Sequence, residues 1–277
     1  KIGTGQGATF LISDLLSDNL FFVNISTYQG REFRNLFDNT SLLGLYLNQT
    51  RRLNWGIGAF RFKGSQYVGD FSAAYTENAV GAFGLLRYPL SRFARIEAQG
   101  VLQHSNRVDF TLPVDQPRRK GWIASQYVTF VHSNALWTSS GPIDGHLLAL
   151  TGGVASDFSN ARFDGYTTVL DARQYLRLGR RSAVALRGFG FYSGGDRPER
   201  VNIGGTLGLR GYPNYGYIIG AKAWMVNSEL RFPLLDFFTL GTPAGPARFP
   251  EIQGAFFGDV GRTWFFREEH RAVLGSY

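Results

Sequence analysis

The most regular feature of the chain is a two-residue alternation of apolar and polar side chains. In residues 93–103, Ala94, Ile96, Ala98, Gly100 and Leu102 fall on one side, and Arg95, Glu97, Gln99 and Gln103 on the other. In 167–177, Asp171, Arg173 and Arg177 share one side, with Leu170, Ala172 and Leu176 opposite. In 222–232, Trp224, Val226, Leu230 and Phe232 oppose Asn227, Glu229 and Arg231. Successive side chains leave opposite faces of a strand, so this period marks strands whose two faces meet different surroundings. Helical periodicity is poor throughout. Clusters of Gly, Asn, Asp, Ser and Pro divide the alternating segments. They predict strands over 4–12, 19–28, 41–48, 53–62, 79–88, 92–104, 121–133, 145–156, 164–177, 181–193, 220–232 and 252–261. The fold class is therefore all-β. Alternation by itself fits a membrane barrel, with charge toward a watery bore and apolar groups toward lipid. It fits a soluble sandwich equally, with the apolar faces packed together.

The connections distinguish these better. Short ones at 13–18, 49–52, 89–91 and 178–180 alternate with long ones at 29–40, 63–78, 105–120 and 194–219. Outer-membrane barrels have short periplasmic turns and longer outer loops. That assignment puts the turn 88–92 on the periplasmic side and the segment 194–219 outside. Residues 134–144 and 233–251 break the pattern, being longish where short turns are expected. No internal repeat or hydrophilic linker is present, which predicts one domain over 1–277.

Composition fits an antiparallel transmembrane barrel and a soluble all-β protein alike. Charged residues make up 18% of the chain and aromatics 15%, with 35 Gly, against about 25% charged in soluble domains. Mean hydropathy is only −0.13, as expected when lipid-facing and bore-facing residues cancel. No apolar run approaches the roughly 20 residues of a membrane helix, so a membrane crossing requires a barrel. The absence of Cys excludes disulfides and thiolate metal sites. The net charge of +8 is scattered, with small clusters at Arg51-Arg52, Arg118-Arg119-Lys120 and Arg180-Arg181. No long basic run points to nucleic acid. Solvated turns and loops account for these charges, and outer-membrane lipid or lipopolysaccharide is the anionic partner to consider. The chain starts at Lys1, so a leader or a longer N-terminal part is expected before it.

Candidate chemistry is sparse. His104, His132, His146 and His270 make no metal-ligand spacing. No Gly-x-Ser-x-Gly elbow or phosphate loop occurs. His104 with Asp109 or Asp115 is a conceivable rim site for a barrel enzyme, supported by residue type alone. The expectation is no catalytic residue, no metal and no cofactor.

The informative region is 204–212, which ends Leu209-Arg210-Gly211-Tyr212, followed by 227–233 and 256–261. By period two, Asn227, Glu229 and Arg231 point one way, as do Gln253, Ala255, Phe257 and Asp259. If both polar faces line the bore, Glu229 and Asp259 are carboxylates on neighbouring strands, open to a guanidinium from a folded-in loop. Gly211 would permit a tight turn. Tyr212 would pack its ring on the wall and keep its hydroxyl for a hydrogen bond. Taken singly, Leu-Arg-Gly-Tyr is common and Asp-x-Gly is turn-like.

Taken together, in this order and spacing, the three motifs resemble the C-terminal barrel of the BamA/TamA-type outer-membrane assembly and translocation family, the bacterial surface antigen barrels. Residues 7–18 look like the barrel start of a subgroup in which a periplasmic propeller-like domain can precede the barrel. The resemblance implies a bacterial outer-membrane barrel of sixteen strands in full, about twelve of them in this chain. The first strand and the last two or three would lie beyond it. It implies Arg210, Gly211 and Tyr212 at the tip of a loop folded into the lumen, with Glu229 and Asp259 as acidic partners on the wall. It also implies binding or insertion of nascent outer-membrane proteins, or export of a substrate, by strand addition at a seam and without covalent chemistry. A scaffold barrel among other subunits of an outer-membrane complex, or a passive pore, is the alternative.

Overall fold

A computed structural model describes residues 4–29, 40–68, 72–109, 119–138, 141–212, 218–235, 238–242, 245–249 and 252–264. The strands in chain order begin with β1 (Thr4–Ser13), β2 (Asn19–Gln29), β3 (Thr40–Asn48), β4 (Asn54–Val68), β5 (Ser72–Pro89) and β6 (Ala94–Asp109). They continue with β7 (Arg119–Ser133), β8 (Leu136–Thr138), β9 (Gly141–Asp157), β10 (Arg162–Arg177), β11 (Ala183–Gly194) and β12 (Val201–Asn202). The last are β13 (Ile219–Gly220), β14 (Lys222–Leu235), β15 (Phe238–Thr242), β16 (Gly245–Phe249) and β17 (Ile252–Trp264). No helix occurs among the described residues. One 13-stranded sheet holds the twelve long strands in sequence order, each antiparallel to the next, with β8 added beside β9. Every long strand is thus the partner of its neighbour in sequence, the arrangement that short hairpin connections favour.

Three of the connections read from the sequence take on strand structure. The segment 63–78 is mostly strand, because β4 and β5 stay paired out to Val68 and Ser72. The two overlong turn-side segments are explained by local hairpins. Residues 136–138 pair back on β9, and β15 pairs with β16. Each folds on itself and satisfies its own backbone groups.

Register keeps the two faces of the sheet distinct. One row across four strands runs Arg173–Arg187–Asn227–Asp259. The adjacent row, on the opposite face, runs Ala172–Gly188–Val226–Val260. The first face is the inner wall, on which the connection between β11 and β14 lies. The second is lined by exposed apolar groups, including Ile57, Leu86, Leu102, Val128, Leu150 and Val260. Aromatic rings band this outer face at both ends. Near the short turns, Phe21 packs tilted against Tyr46 and Tyr46 edge-on against Trp55, at 4.7 and 5.5 Å between centroids. Near the loops, Tyr166 and Tyr192 stack at 5.9 Å, and Trp224 lies two residues beyond Lys222 on the same face. Trp224 and Phe232 are eight residues apart on β14. That is about 27 Å along the strand and about 21 Å across a membrane at ~40° tilt. The span matches the roughly 25 Å apolar band of an outer-membrane barrel.

The inner wall is not uniformly polar. On β6, β10, β11, β14 and β17 it carries the expected ionic groups. On β2 to β5 the same face holds Leu20, Phe22, Leu43, Leu45, Leu47 and Phe60, half-buried. These strands have apolar residues on both faces, so the expectation of a polar inner side fails there.

Candidate functional site

The connection from β11 to β14 lies against the inner wall, and its described part runs to Tyr212 before resuming at Ile218. Its underside is apolar. Ile203 and Leu209 bury against Ala223 and Met225 of β14, with Phe189, Phe191, Val201 and Ile218 around them. Ile203, Leu209 and Met225 are 3%, 4% and 3% exposed, and burying each stabilises the docked loop by about 2 kcal/mol. Gly261 on β17 makes room for this contact. A Cβ there would stand 2.8 Å from the Trp224 carbonyl oxygen and 3.2 Å from both Ile203 and Leu209. The glycine two residues past Asp259 therefore lets the loop tip approach the wall next to the carboxylate.

Leu209 to Tyr212 form a turn closed by the Tyr212 amide donating to the Leu209 carbonyl at 3.3 Å. Gly211 occupies its third position at φ +98°, the left-handed region that a type II turn needs there and that glycine adopts without strain. The turn aims Arg210 at the wall. Its Nε and Nη2 donate to the two oxygens of Asp259 at 2.9 and 2.8 Å. Its Nη1 donates to Glu229 at 2.6 Å. The guanidinium also stacks 3.9 Å from the centroid of Phe257, the inner-face residue directly opposite Glu229 in the register. A planar fork bonded to two oxygens of one carboxylate is the strongest form of such a pair. The hydrogen bonds to Asp259 first, and those to Glu229 next, hold the Arg210 pKa above its ordinary value.

Four further groups complete the attachment. Asp259 accepts the Arg210 backbone amide at 3.0 Å and the Asn227 side-chain amide at 2.8 Å. Asn227 also donates to the Gly208 carbonyl at 2.9 Å. Arg231 donates to Glu229 at 2.5 Å, so that carboxylate balances two cations. One turn of chain earlier, Arg187 donates to the Leu207 carbonyl at 2.7 Å while bonding Asp171 at 3.1 and 2.8 Å.

Of the residues singled out from sequence, Arg210, Glu229 and Asp259 come together, with Gly211 at the turn. Tyr212 does not join them. Its side chain is 56% exposed, because the reversal at Gly211 sends it away from the wall that Arg210 faces. Asp115 lies outside the described residues. His104 faces outward against Trp122, away from the inner wall.

A second attachment was not legible in the sequence. Glu199, at the start of the loop, accepts a short hydrogen bond from the Tyr127 hydroxyl of β7. Its other oxygen accepts from Thr167 of β10 at 3.1 Å. Its backbone amide donates to the Ser193 hydroxyl at 2.8 Å. Glu199 and Tyr127 are 72 residues apart, and neither lies in a recognisable pattern. The loop is therefore held at its base and at its tip, across strands from β7 to β17. Among the described residues no group of His, Cys, Asp and Glu could hold a metal ion.

No family model matches the chain, and no curated protein sequence matches it. Among solved structures it is similar to BamA from Haemophilus ducreyi lacking POTRA domains 1–3, with a TM-score of 0.62 and 14% identity. The match covers 98% of this chain and 59% of that one, so the chain spans well under two thirds of that relative. At such identity the likeness concerns architecture, and it extends over nearly every strand. The chain has the fold of a BamA-type outer-membrane β-barrel.

Proposed function

We propose that this chain is the barrel of an outer-membrane protein of the assembly or translocation type. It binds or inserts other membrane β-barrel proteins, or passes a substrate, without covalent chemistry. In this reading Arg210, Gly211 and Tyr212 form the lumen tip, and Glu229 and Asp259 are its acidic partners. The observation that carries the reading is the loop docked on the inner wall by the Arg210 fork, within a BamA-type fold. A loop fixed at two ends on the inner wall narrows the path through the bore. A machine that must keep its bore closed while a client strand is handled at the wall gains from it. Fold alone does not decide function, so the site supplies the weight.

The test is reconstitution of the full-length protein into phospholipid vesicles with an unfolded outer-membrane β-barrel as client. Folding of the client is followed by its heat-modifiable gel mobility. Acceleration over empty vesicles is expected. No acceleration, together with no passage of a client across the vesicle, would sink the reading. A stable stoichiometric partner on purification would then favour the scaffold alternative.

A further inference from the structure

Among the described residues, the Lys and Arg side chains of the lipid-facing side of the sheet all lie toward one end. Toward the loops this side carries Arg61 and Lys63 on β4, Lys120 on β7, Lys222 on β14 and Arg262 on β17. The register places each on the outer face. Arg61 pairs with Leu42, Lys120 with Asn106, Lys222 with Tyr192, and Arg262 with Trp224. Lys120 and Arg262 are exposed, and the other three are half-buried. Lys222 sits 5.1 Å from the centroid of the Tyr192 ring. No carboxylate shares this face at this end among the described residues. The described carboxylates near the loops include Glu77, Asp157, Asp164, Asp196 and Glu199, and they belong to the inner wall and the loop base, Glu77 accepting from Ser105 and Asp196 standing 3.9 Å from Arg162.

Height along the strands is also informative. Arg61 lies one step short of Lys63 on the same face, and Arg262 is level with Trp224, eight residues from Phe232. Lys63, Lys222 and Lys120 stand eight, ten and twelve residues from the turn-side positions Trp55, Phe232 and His132 on the same strands. At ~3.4 Å per residue and ~40° tilt this is about 20–30 Å, the far boundary of the apolar band. A long basic side chain at that level extends its charge toward headgroups while its stem stays in the apolar layer. The turn end differs. Its Lys and Arg residues lie in the turns or, as Arg87, Arg95 and Arg177, on the inner face, and Arg52 is used internally, donating to the Pro89 carbonyl at 3.1 Å and covering the Tyr88 ring at 4.9 Å. The two leaflets therefore meet different surfaces of this protein.

We infer that the outward cations at the loop end form a collar for densely phosphorylated lipid headgroups, those of lipopolysaccharide in the outer leaflet. The inference rests on the membrane-barrel reading but not on the assembly function. An ordinary phospholipid leaflet does not call for a collar at one end only, whereas a leaflet with several phosphates per molecule does. Each basic group near an anionic surface favours association by about fivefold.

The experiment uses the full-length protein in phosphatidylethanolamine vesicles that contain spin-labelled lipid A, either bisphosphorylated or dephosphorylated. The immobilised lipid fraction is read by electron paramagnetic resonance. Wild type should prefer the bisphosphorylated form by about fivefold or more. A variant carrying R61Q, K63Q, K120Q, K222Q and R262Q should show no preference. If that variant fails to fold, the pair K63Q and K120Q should show a reduced preference. An inserted wild type that does not distinguish the two lipids, or a folded variant that keeps the wild-type preference, overturns the collar. Either result leaves client insertion, measured separately, standing or falling by its own assay.

Discussion

Replacing Arg210 with alanine removes three side-chain hydrogen bonds, two to Asp259 and one to Glu229, and the stacking on Phe257. The Asp259 side chain, 4% exposed, keeps the Asn227 amide and the backbone amide of residue 210. Glu229 keeps Arg231. Breaking a fully buried pair costs about 3–5 kcal/mol. The Arg210 side chain is 19% exposed, and both acids retain donors, so about 2–3 kcal/mol is the appropriate figure here. The strand pairing of the sheet is untouched, so the cost appears as opening of the loop and not as global unfolding. At 1.4 kcal/mol per decade, the open population should rise about 30- to 150-fold. Arg200 provides a tryptic site inside the loop that R210A leaves intact. Cleavage there in intact membranes follows the open population while reclosing is fast. R210K should fall between wild type and R210A, since an ammonium cannot make the planar fork. Cleavage within about threefold of wild type would mean the fork contributes under 1 kcal/mol, and the latch would have to be abandoned.

Other expectations follow from the same geometry. G211A meets no steric contact, since nothing lies within 4 Å of a Cβ there. Its effect is therefore backbone strain alone, about 1–2 kcal/mol, read as faster cleavage at Arg200 in membranes. D259N should loosen the loop more than E229Q, because Asp259 takes two bonds from the Arg210 side chain and Glu229 one. The reverse order, measured by the same cleavage, would contradict the assignment. Y127F removes one partner of Glu199, and at about 1 kcal/mol it should raise cleavage at Arg200 about fivefold with the tip fork intact. At the β1–β2 turn, Asp14 accepts from Asn19 and from the Asp18 amide. The Asn19 side-chain bond, first among the causes, holds its pKa below the ordinary 3.8. A depressed carboxyl contributes above its unfolded value and loses that contribution as pH falls through the folded one. The protection of the Asp18 amide, its exchange relative to the intrinsic rate at each pH, should therefore stay unchanged from neutral pH down to the usual carboxylate range and be lost only below it.

Much of the sheet was legible because its signal is local. Each of the twelve predicted segments overlaps a long strand, since alternation in 94–102 or 222–232 reflects only which side of one strand meets lipid. The pairing of β4 with β5 beyond residue 63 was missed because Gly64, Ser65 and Gln66 read as a turn cluster, while a hairpin extension needs only backbone partners. The apolar inner wall was missed for a related reason. Leu42, Leu43, Leu45 and Leu47 give no alternation, and one sequence does not say which of two apolar faces is inside. At the site, Asn227 and Phe257 share the inner face with Glu229 and Asp259 by the same period and were within reach of the reasoning. Tyr212 went the other way because the direction of a side chain after a positive-φ glycine depends on the turn type. Glu199 with Tyr127, and Arg187 with the Leu207 carbonyl, join elements distant in sequence through tertiary structure alone.

The account stands on which side of β14 faces the bore. The chain has no Cys, so single cysteines can be placed at positions 224 to 231 without other changes. In outer-membrane vesicles, labels at 224, 226, 228 and 230 should be quenched by nitroxide lipids and stay inert to a charged thiol reagent. Labels at 225, 227, 229 and 231 should escape the lipid quencher and become reactive once R210A frees the loop. Lipid quenching at the odd positions, or the absence of alternation, would contradict the account.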